Sequence, residues 1–600
     1  MDNFSTHVVA MLDQLNERQR EAVCAPDGPL LIIAGAGSGK TKTLTTRLAF
    51  LIAHRGIAPS AILAVTFTNK AADEMQRRVS AMLPQDYSDK NPTISTLHSF
   101  GARVLFAEGA FFGRTSSYTI FDRDDSSRVI KKLIQSDDSS KKISLSTCLW
   151  AFAKIKNELL AQGDALGTSD DERLWSLFYG YERALQDHNA FDFDDLIYKV
   201  VLLWKSQTDV LASWQKKFSH ILIDEYQDVN TAQHEMMSLL AHAHRNITVV
   251  GDDAQAIYGF RSCDFRNFLQ FEKTWPQTRT IILEQNYRSS GHIIDASSRL
   301  IAHNVFQKPK TLWTKNISGQ AVLIMEHHNE FDQADYVVDA ALRSAQAGLS
   351  VGILFRTNAQ SRALEQMLLE KGIPYALFGA VTFYERKEIR DIIAALRVAA
   401  NAADAISLSR LEKNFPKKVT RPLLEAFFTL APSASPLSYI NMFLEITSYR
   451  DRIKHEYSNY IERYENIAEL VYFSEQFSSL PDFLRAVTLA SPLDSFSRKE
   501  KKYTPINLMT IHLAKGLEFD AVHVVGVNEG ILPHQRSLAS SDECEEERRL
   551  LYVAMTRAKK ELALHFYQLP SRFLQELPLD HVIFSSDTTL DDEERYIEYD

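Results

Sequence analysis

Residues Leu30 to Thr41, LLIIAGAGSGKT, constrain the fold more than any other stretch: an apolar strand runs into a glycine-rich loop and then into the helical pattern TKTLTTRLAFLIAH. That order sets the N–H groups of the loop at the start of a helix, where they converge on phosphate oxygens. It belongs to parallel α/β sheets that bind ligands at the carboxyl ends of their strands. Gly35, Gly37 and Gly39 allow this approach without a Cβ clash, Lys40 is placed to bridge the β- and γ-phosphates, and the Thr41 hydroxyl to coordinate Mg²⁺. Ala34 stands where the strict pattern has its first glycine, and Ala36 and Ser38 complete the loop.

A second apolar run, ILIDEYQDVN from Ile221 to Asn230, delivers two carboxylates at the carboxyl end of a strand. With a phosphate cradle upstream, Asp224 is placed to hold Mg²⁺ and Glu225 to orient and deprotonate an attacking water. Shortly afterwards VVGDDAQAIYGFRSC, Val249 to Cys263, joins acidic phosphate-site chemistry to aromatic and basic side chains. One short piece of chain thus combines ATP chemistry with contacts suited to nucleic acid.

The 600 residues are enough for about four units at ~150 residues each. Charged residues at 24% and hydrophobic ones at 45% are ordinary for a globular chain. Cys24, Cys148, Cys263 and Cys544 form no CxxC pair, so neither a disulfide framework nor a zinc site is implied and a reducing cytoplasm fits. No apolar run reaches the ~18 residues of a membrane span, and the amino terminus lacks the blocks of a signal peptide. A net charge of −10 does not exclude nucleic acid, since one groove can be basic while the remainder is acidic. Part of that charge lies in DTTLDDEERYIEYD, Asp587 to Asp600, which reads as a solvated acidic tail.

Strand-like runs alternate with helical patterns up to about residue 105 and again from about 196 to 285, so one α/β domain is interrupted by a helical, polar stretch at 106–195. A second α/β domain covers 286–385 and 503–575, with a helical insertion at 386–502, and 576–600 is left as the tail.

The ordered set LNERQREAV, AGAGSGKT, TFTNKAADEM, TLHSF, FDFDDL, IDEYQD, GDDAQAIYGFR, LEQNYRS, LFRTNAQSR, FYERKEIRD, TIHLAKGLEF and EEERRLLYVAMTRAKKEL, from Leu15 to Leu562, resembles the UvrD/Rep/PcrA family of superfamily 1 DNA helicases. The resemblance implies two RecA-like P-loop domains, each with a mainly helical insertion (the 1A/1B/2A/2B architecture), and 3′ to 5′ translocation along single-stranded DNA driven by ATP and Mg²⁺. Relatives carry a larger second insertion with a Gly-Ile-Gly element that grips duplex. Asn401 to Phe427 lacks that element, so the 2B-like insertion is reduced.

Residue by residue, the resemblance implies that Gln19 reads the adenine edge, Tyr287 stacks on the base, Arg288 reaches the γ-phosphate and Gln255 senses it. Glu518 would contact the ribose, and Arg557 would be a second arginine finger, so that ATP binding bridges two domains and its hydrolysis releases them. Phe67, Phe193, Tyr258 and Phe260 are the expected stacking platforms for single-stranded DNA, Phe260 standing where the family more often has Trp. His98, Arg261, Arg356, Asn358 and His512 are expected at phosphate, sugar or base. The leading reading is a helicase of repair or replication restart acting on single-stranded and tailed duplex DNA. The alternative is a DNA-stimulated translocase that strips proteins with little unwinding. A pure ATP-gated binder has no use for Lys40, Glu225, Arg288 and Arg557 together.

Overall fold

The computed structural model describes residues 11–83, 91–115, 118–137, 143–259, 263–378, 383, 386–400, 404–430, 434–457, 459–489 and 506–586. The chain divides into two compact units, Met1–Arg288 with Asn304–Asn316, and Ser289–His303 with Ile317–Asp600.

In the first unit the apolar runs form β1 (Leu30–Ala34), β2 (Ile62–Thr66), β3 (Thr93–Thr96), β4 (His220–Ile223), β5 (Ile247–Gly251) and β6 (Arg279–Leu283). They make one sheet in the order β3-β2-β4-β5-β1-β6, parallel throughout. Every residue of β1, β2, β4 and β5 is buried, the signature of a sheet covered on both faces. Alternation across the pleat sends Leu31, Ile33, Ile221 and Val249 into a core with Phe100 and Trp204. Their neighbours Leu30, Ile32, Leu222 and Val250 enter a separate core with Leu44, Leu48 and Met75. Since the strands are parallel, the loops after Ala34, Ile223 and Gly251 all leave from the same edge, and that edge carries the site.

The interruption of this unit is mainly helical. Helices Arg123–Ser136, Leu145–Glu158 and Asp171–Asp187 pack around Cys148, Phe152, Leu174 and Phe178, beside a short parallel pair, Thr119–Phe121 with Ala190–Asp192. Lys156, buried in this insertion, sets its ammonium 2.9 Å from Glu182, 2.7 Å from Asp192 and 2.9 Å from Asp195. These contacts hold the turn that carries Phe193.

The second unit has β7 (Val322–His327), β8 (Val351–Phe355), β9 (Tyr375–Leu377), β10 (Ile506–Thr510), β11 (Phe519–Val524), β12 (Ala558–Tyr567) and β13 (Val582–Ser586). Their order is β9-β10-β8-β11-β12-β7-β13, again all parallel. Between β9 and β10 lie helices from Lys387–Ala400 to Leu480–Leu489, with their own core of Ile392, Leu423, Phe443, Leu470 and Phe483. Helix Tyr460–Ser474 is tied to the sheet part of this unit by one polar face. Glu462 accepts from the Asn358 amide, Asn466 Oδ1 from Arg386 Nη1 at 2.6 Å, and Glu469 Oε1 from Arg362 Nε at 2.5 Å. Among the described residues no helix is long and apolar enough to cross a membrane.

Two boundaries differ from the sequence expectation. The stretch 576–600 was expected to be a solvated tail, yet β13 pairs with β7 from Val322↔Val582 to Glu326↔Ser586. The five residues VIFSS are too short to stand out beside the acidic run that follows, and 587–600 lie outside the described residues. Tyr287 and Arg288, placed by sequence in the second α/β domain, belong to the first unit, and so does Asn304–Asn316. The cause is a parallel bridge of Trp313–Thr314 to Gln285–Asn286, with Thr314 Oγ1 donating to Asn286 O at 2.9 Å.

Three histidines on adjacent strands of the second sheet form a buried line. His327 Nε2 lies 3.0 Å from His565 Nδ1, and His523 Nδ1 lies 3.0 Å from His565 Nε2. Burial, then the Arg343 charge, pushes His523 down to about 4. His565 is held well below the ordinary range by burial and its two imidazole neighbours. Both are therefore neutral when folded but protonate near pH 6.5 when unfolded. Below that pH the unfolded chain binds more protons, so stability is complete above 6.5 and declines as pH falls towards 4. The expected loss from His523 alone is on the order of 3 kcal/mol. Thermal melts from pH 7.5 to 4.5 check this: His523→Gln should flatten the acid limb, and an unchanged limb would exclude this group as its source.

Candidate nucleotide and nucleic-acid site

Gly39 caps helix Lys40–Ala53 at φ 83°, and Gly37 sits at φ 66°, both in the left-handed region that favours glycine. Crowding adds a second requirement: a Cβ on Gly35 would come 2.1 Å from Leu312 Cδ2, and one on Gly37 2.5 Å from Asn286 Nδ2. Ser38 closes the loop on itself, its Oγ donating to Gly35 O at 2.7 Å. The loop's own carbonyls are held from the QNYR segment, with Asn286 Nδ2 donating to Ala36 O at 2.7 Å and Tyr287 N to Gly37 O at 3.0 Å. Ala34, the departure from the strict pattern, ends β1 fully buried, where a methyl group fits the core.

Across the same edge, β4 ends in Asp224 and Glu225. Thr41 Oγ1 lies 3.5 Å from Asp224 Oδ2, so two oxygen donors stand side by side beneath the loop, a set that suits Mg²⁺. Lys40 Nζ is 3.8 Å from Glu225 Oε2. Glu225 adopts φ 51°, a left-handed conformation rare for a residue with a side chain, and accepts 2.6 Å from Gln227 Nε2. Burial and then the neighbouring Glu225 charge push Asp224 up to about 7, against the opposing pull of Lys40. Gln255 follows β5 in a short helical turn, its Nε2 2.5 Å from Asp252 Oδ2.

Gln19 is buried on the other flank of the loop. Its Nε2 donates to Ser38 O at 2.9 Å and its Oε1 accepts from Asn16 N at 3.1 Å. A carboxamide keeps one further N–H and one lone pair after these bonds, which is what an adenine edge needs. Tyr287 lies beside it, 48% exposed, with Asn16 Nδ2 donating to its hydroxyl at 2.7 Å. Arg288 starts next to the loop, since a Cβ on Gly37 would be 2.9 Å from its own Cβ.

The expected DNA platforms assemble into pairs that the motifs do not announce. Phe67 stacks on Tyr258, centroids 5.3 Å apart at 12°, and His98 stacks on Phe193 at 4.0 Å and 23°. Burial drops His98 to about 4, so it is neutral at physiological pH and offers a flat ring. Phe193 is 56% exposed, so its ring can be reached from solvent. Phe260 and Arg261 lie outside the described residues.

In the second unit, Arg557 is buried and donates to Val553 O at 3.0 Å, Leu517 O at 3.2 Å and Thr556 Oγ1 at 3.2 Å. Glu518 pairs with Lys559 at 2.8 Å. Arg356, expected at DNA, forms a fork with Glu547, its Nη2 2.8 Å from Oε1, and Asn358 is engaged by Glu462. His512 is half-buried on the short helix Ile511–Ala514. Sequence reasoning passed over three residues that the first unit brings into contact with the site: Gln227 and Asn286, each inside a quoted motif, and Lys310, for which no motif gave a signal.

Comparison with known proteins also gives two parts, with a boundary between 276 and 281, so that Tyr287, Arg288 and Asn304–Asn316 fall under the C-terminal family domain. Residues 15–276 match the UvrD/REP helicase N-terminal domain, and 281–435 and 435–568 match the UvrD-like helicase C-terminal domain. A protein named ATP-dependent DNA helicase PcrA from Staphylococcus epidermidis is 37% identical over 95% of this chain and 87% of its own length. Its namesake from Staphylococcus aureus is 36% identical over the same shares.

Proposed function

The chain belongs to the UvrD/Rep/PcrA helicase family, and from that premise we propose that it unwinds duplex DNA while moving 3′ to 5′ on a single strand, in repair or replication restart in the cytoplasm. The observation that carries this reading is the meeting, in one unit, of a complete phosphate cradle with two stacked aromatic pairs. The cradle is built of Lys40, Thr41, Asp224 and Glu225. The pairs draw their rings from four separate segments.

Lys40 holds the β- and γ-phosphates while the loop N–H groups cradle them. Thr41 and Asp224 are the residues that would hold Mg²⁺, which when bound neutralises charge on the phosphate oxygens. Glu225, aimed by its own backbone and by Gln227, takes the proton of the attacking water as that oxygen bonds to the γ-phosphorus and the bond to the β-phosphate oxygen breaks. Arg288 and Gln255 answer to the γ-phosphate, and Arg557 and Glu518 complete the set as the family implies. Platforms built from rings give about 1–3 kcal/mol per base whatever its identity, which suits an enzyme that must pass every sequence.

The test is ATP-dependent strand separation on a duplex with a 3′ single-stranded tail, beside a 5′-tailed control, with DNA-stimulated ATPase followed in parallel. Separation of the 3′-tailed substrate alone is the expected result. Separation of the 5′-tailed one would overturn the polarity, and strong ATPase without separation would establish the stripping translocase in its place.

A further inference from the structure

The segment Asn304–Asn316 carries no recognised chemistry, yet it runs as a strap across the nucleotide edge of the first unit. Leu312 packs against Gly35 at the mouth of the phosphate loop. Thr311 N donates to Glu284 Oε1 at 2.8 Å, and Trp313–Thr314 pair with Gln285–Asn286 just before Tyr287 and Arg288. The strap's most buried charge is Lys310. Its Nζ lies 3.1 Å from Asp252 Oδ1 and 2.7 Å from Asp253 Oδ1, and both aspartates are fully buried. Lys308 adds its backbone N–H to Asp253 Oδ2 at 3.0 Å.

Asp252 Oδ1 also accepts from Ala254 N–H at 3.2 Å, and two other contacts of Asp252 lead towards the site. Its Oδ2 accepts from Gln255 Nε2 at 2.5 Å, and its backbone N–H donates to Gln227 Oε1 at 3.0 Å. Gln227 in turn donates from Nε2 to Glu225 Oε2 at 2.6 Å. A chain of direct contacts therefore leads from the Lys310 ammonium through Asp252 to the γ-phosphate sensor on one branch and to the water-activating carboxylate on the other. Two adjacent carboxylates without solvent repel each other and are stable in place only when a cation is supplied. A lysine ammonium is compact and has three N–H groups, enough to bridge both.

We propose that Lys310 is a positioning residue for hydrolysis: by pinning Asp252 it sets the carboxamide of Gln255 and, through Gln227, the carboxylate of Glu225. This rests on the reading of Gln255 as sensor and Glu225 as base. Lys310 touches no phosphate in this scheme, so its loss should act on turnover and not on ATP affinity.

The experiment is steady-state ATPase of the full chain on saturating single-stranded DNA for Lys310→Met, Lys310→Arg, Gln255→Ala and the Lys310→Met/Gln255→Ala double variant, with binding of a fluorescent ATP analogue measured on each. Lys310→Met should lower kcat about tenfold or more with KM for ATP and analogue affinity within about twofold. In the double variant the losses should fall short of their full product, because they share the Gln255 carboxamide and only the Gln227 branch remains for Lys310 to act through. Independent, multiplying losses, or a fall in analogue affinity matching the fall in kcat, would overturn the proposal in favour of a structural role for the strap. Should Lys310→Met fail to fold, Lys310→Arg decides: it keeps the charge but replaces a point donor with a wide planar fork. A several-fold lower kcat at unchanged KM supports the inference, and a wild-type kcat overturns it. Wild-type turnover in Gln255→Ala would instead sink the sensor reading itself.

Discussion

Lys40→Ala is expected to lower DNA-stimulated ATP turnover by roughly 10²- to 10³-fold, the usual effect of removing one donor aimed at developing charge. The arrangement around it argues for the upper end. Lys40 Nζ is 3.8 Å from Glu225 Oε2, and it offsets the burial and like-charge repulsion that raise Asp224. Without it the two carboxylates face the phosphates with less positive charge to oppose them. Single-strand affinity should change little, because the stacked pairs Phe67–Tyr258 and His98–Phe193 do not involve this residue. ATPase assays with fluorescence anisotropy on a labelled oligonucleotide separate the two effects. Normal turnover in the variant would overturn the assignment of the phosphate loop.

The second large effect is expected from Glu225→Gln, a substitution of nearly the same shape that cannot take up a proton. Turnover should fall by about 10²- to 10⁴-fold, the range for loss of a positioned base, while ATP binding persists. The left-handed backbone at φ 51° is a property of the turn and should survive the change. Pre-steady-state measurements distinguish the two variants: Glu225→Gln should bind ATP and stall before cleavage, whereas Lys40→Ala should be deficient in binding as well. Unchanged cleavage in Glu225→Gln would remove the residue from the chemistry.

Much of the site was legible because its parts are local. Strand, loop and helix follow one another at Leu30–Thr41, and glycine occupies Gly37 and Gly39, where φ is positive. The apolar run before Asp224 foretold a buried parallel strand, and β4 is one. The aromatic types at Phe67, His98, Phe193 and Tyr258 could be picked out, but not who stacks on whom, since each pairing joins segments at least 95 residues apart. Arg356 and Asn358 showed the opposite limit. Named as candidates for contacts to phosphate, sugar or base, they are engaged in this structure by Glu547 and Glu462, pairings that no local pattern marks. Lys310 was invisible for the same reason: a lysine in KPKTLW has no local feature that marks it as the partner of two buried aspartates.

The sequence by itself therefore determined the class of fold and the motifs from which the chemistry is proposed, through short-range stereochemistry: which backbone can adopt a positive φ, which runs are apolar enough to be covered on both faces, which side chain types suit phosphate. The tertiary structure alone decided membership and pairing. It put Tyr287, Arg288 and Asn304–Asn316 in the first unit, turned VIFSS into an edge strand, and linked Lys310 through Asp252 to Gln255 and, by way of Gln227, to Glu225. Those outcomes depend on strand order, which brings together residues remote in sequence, and on burial, which makes a charge choose its partner because water is no longer available to it.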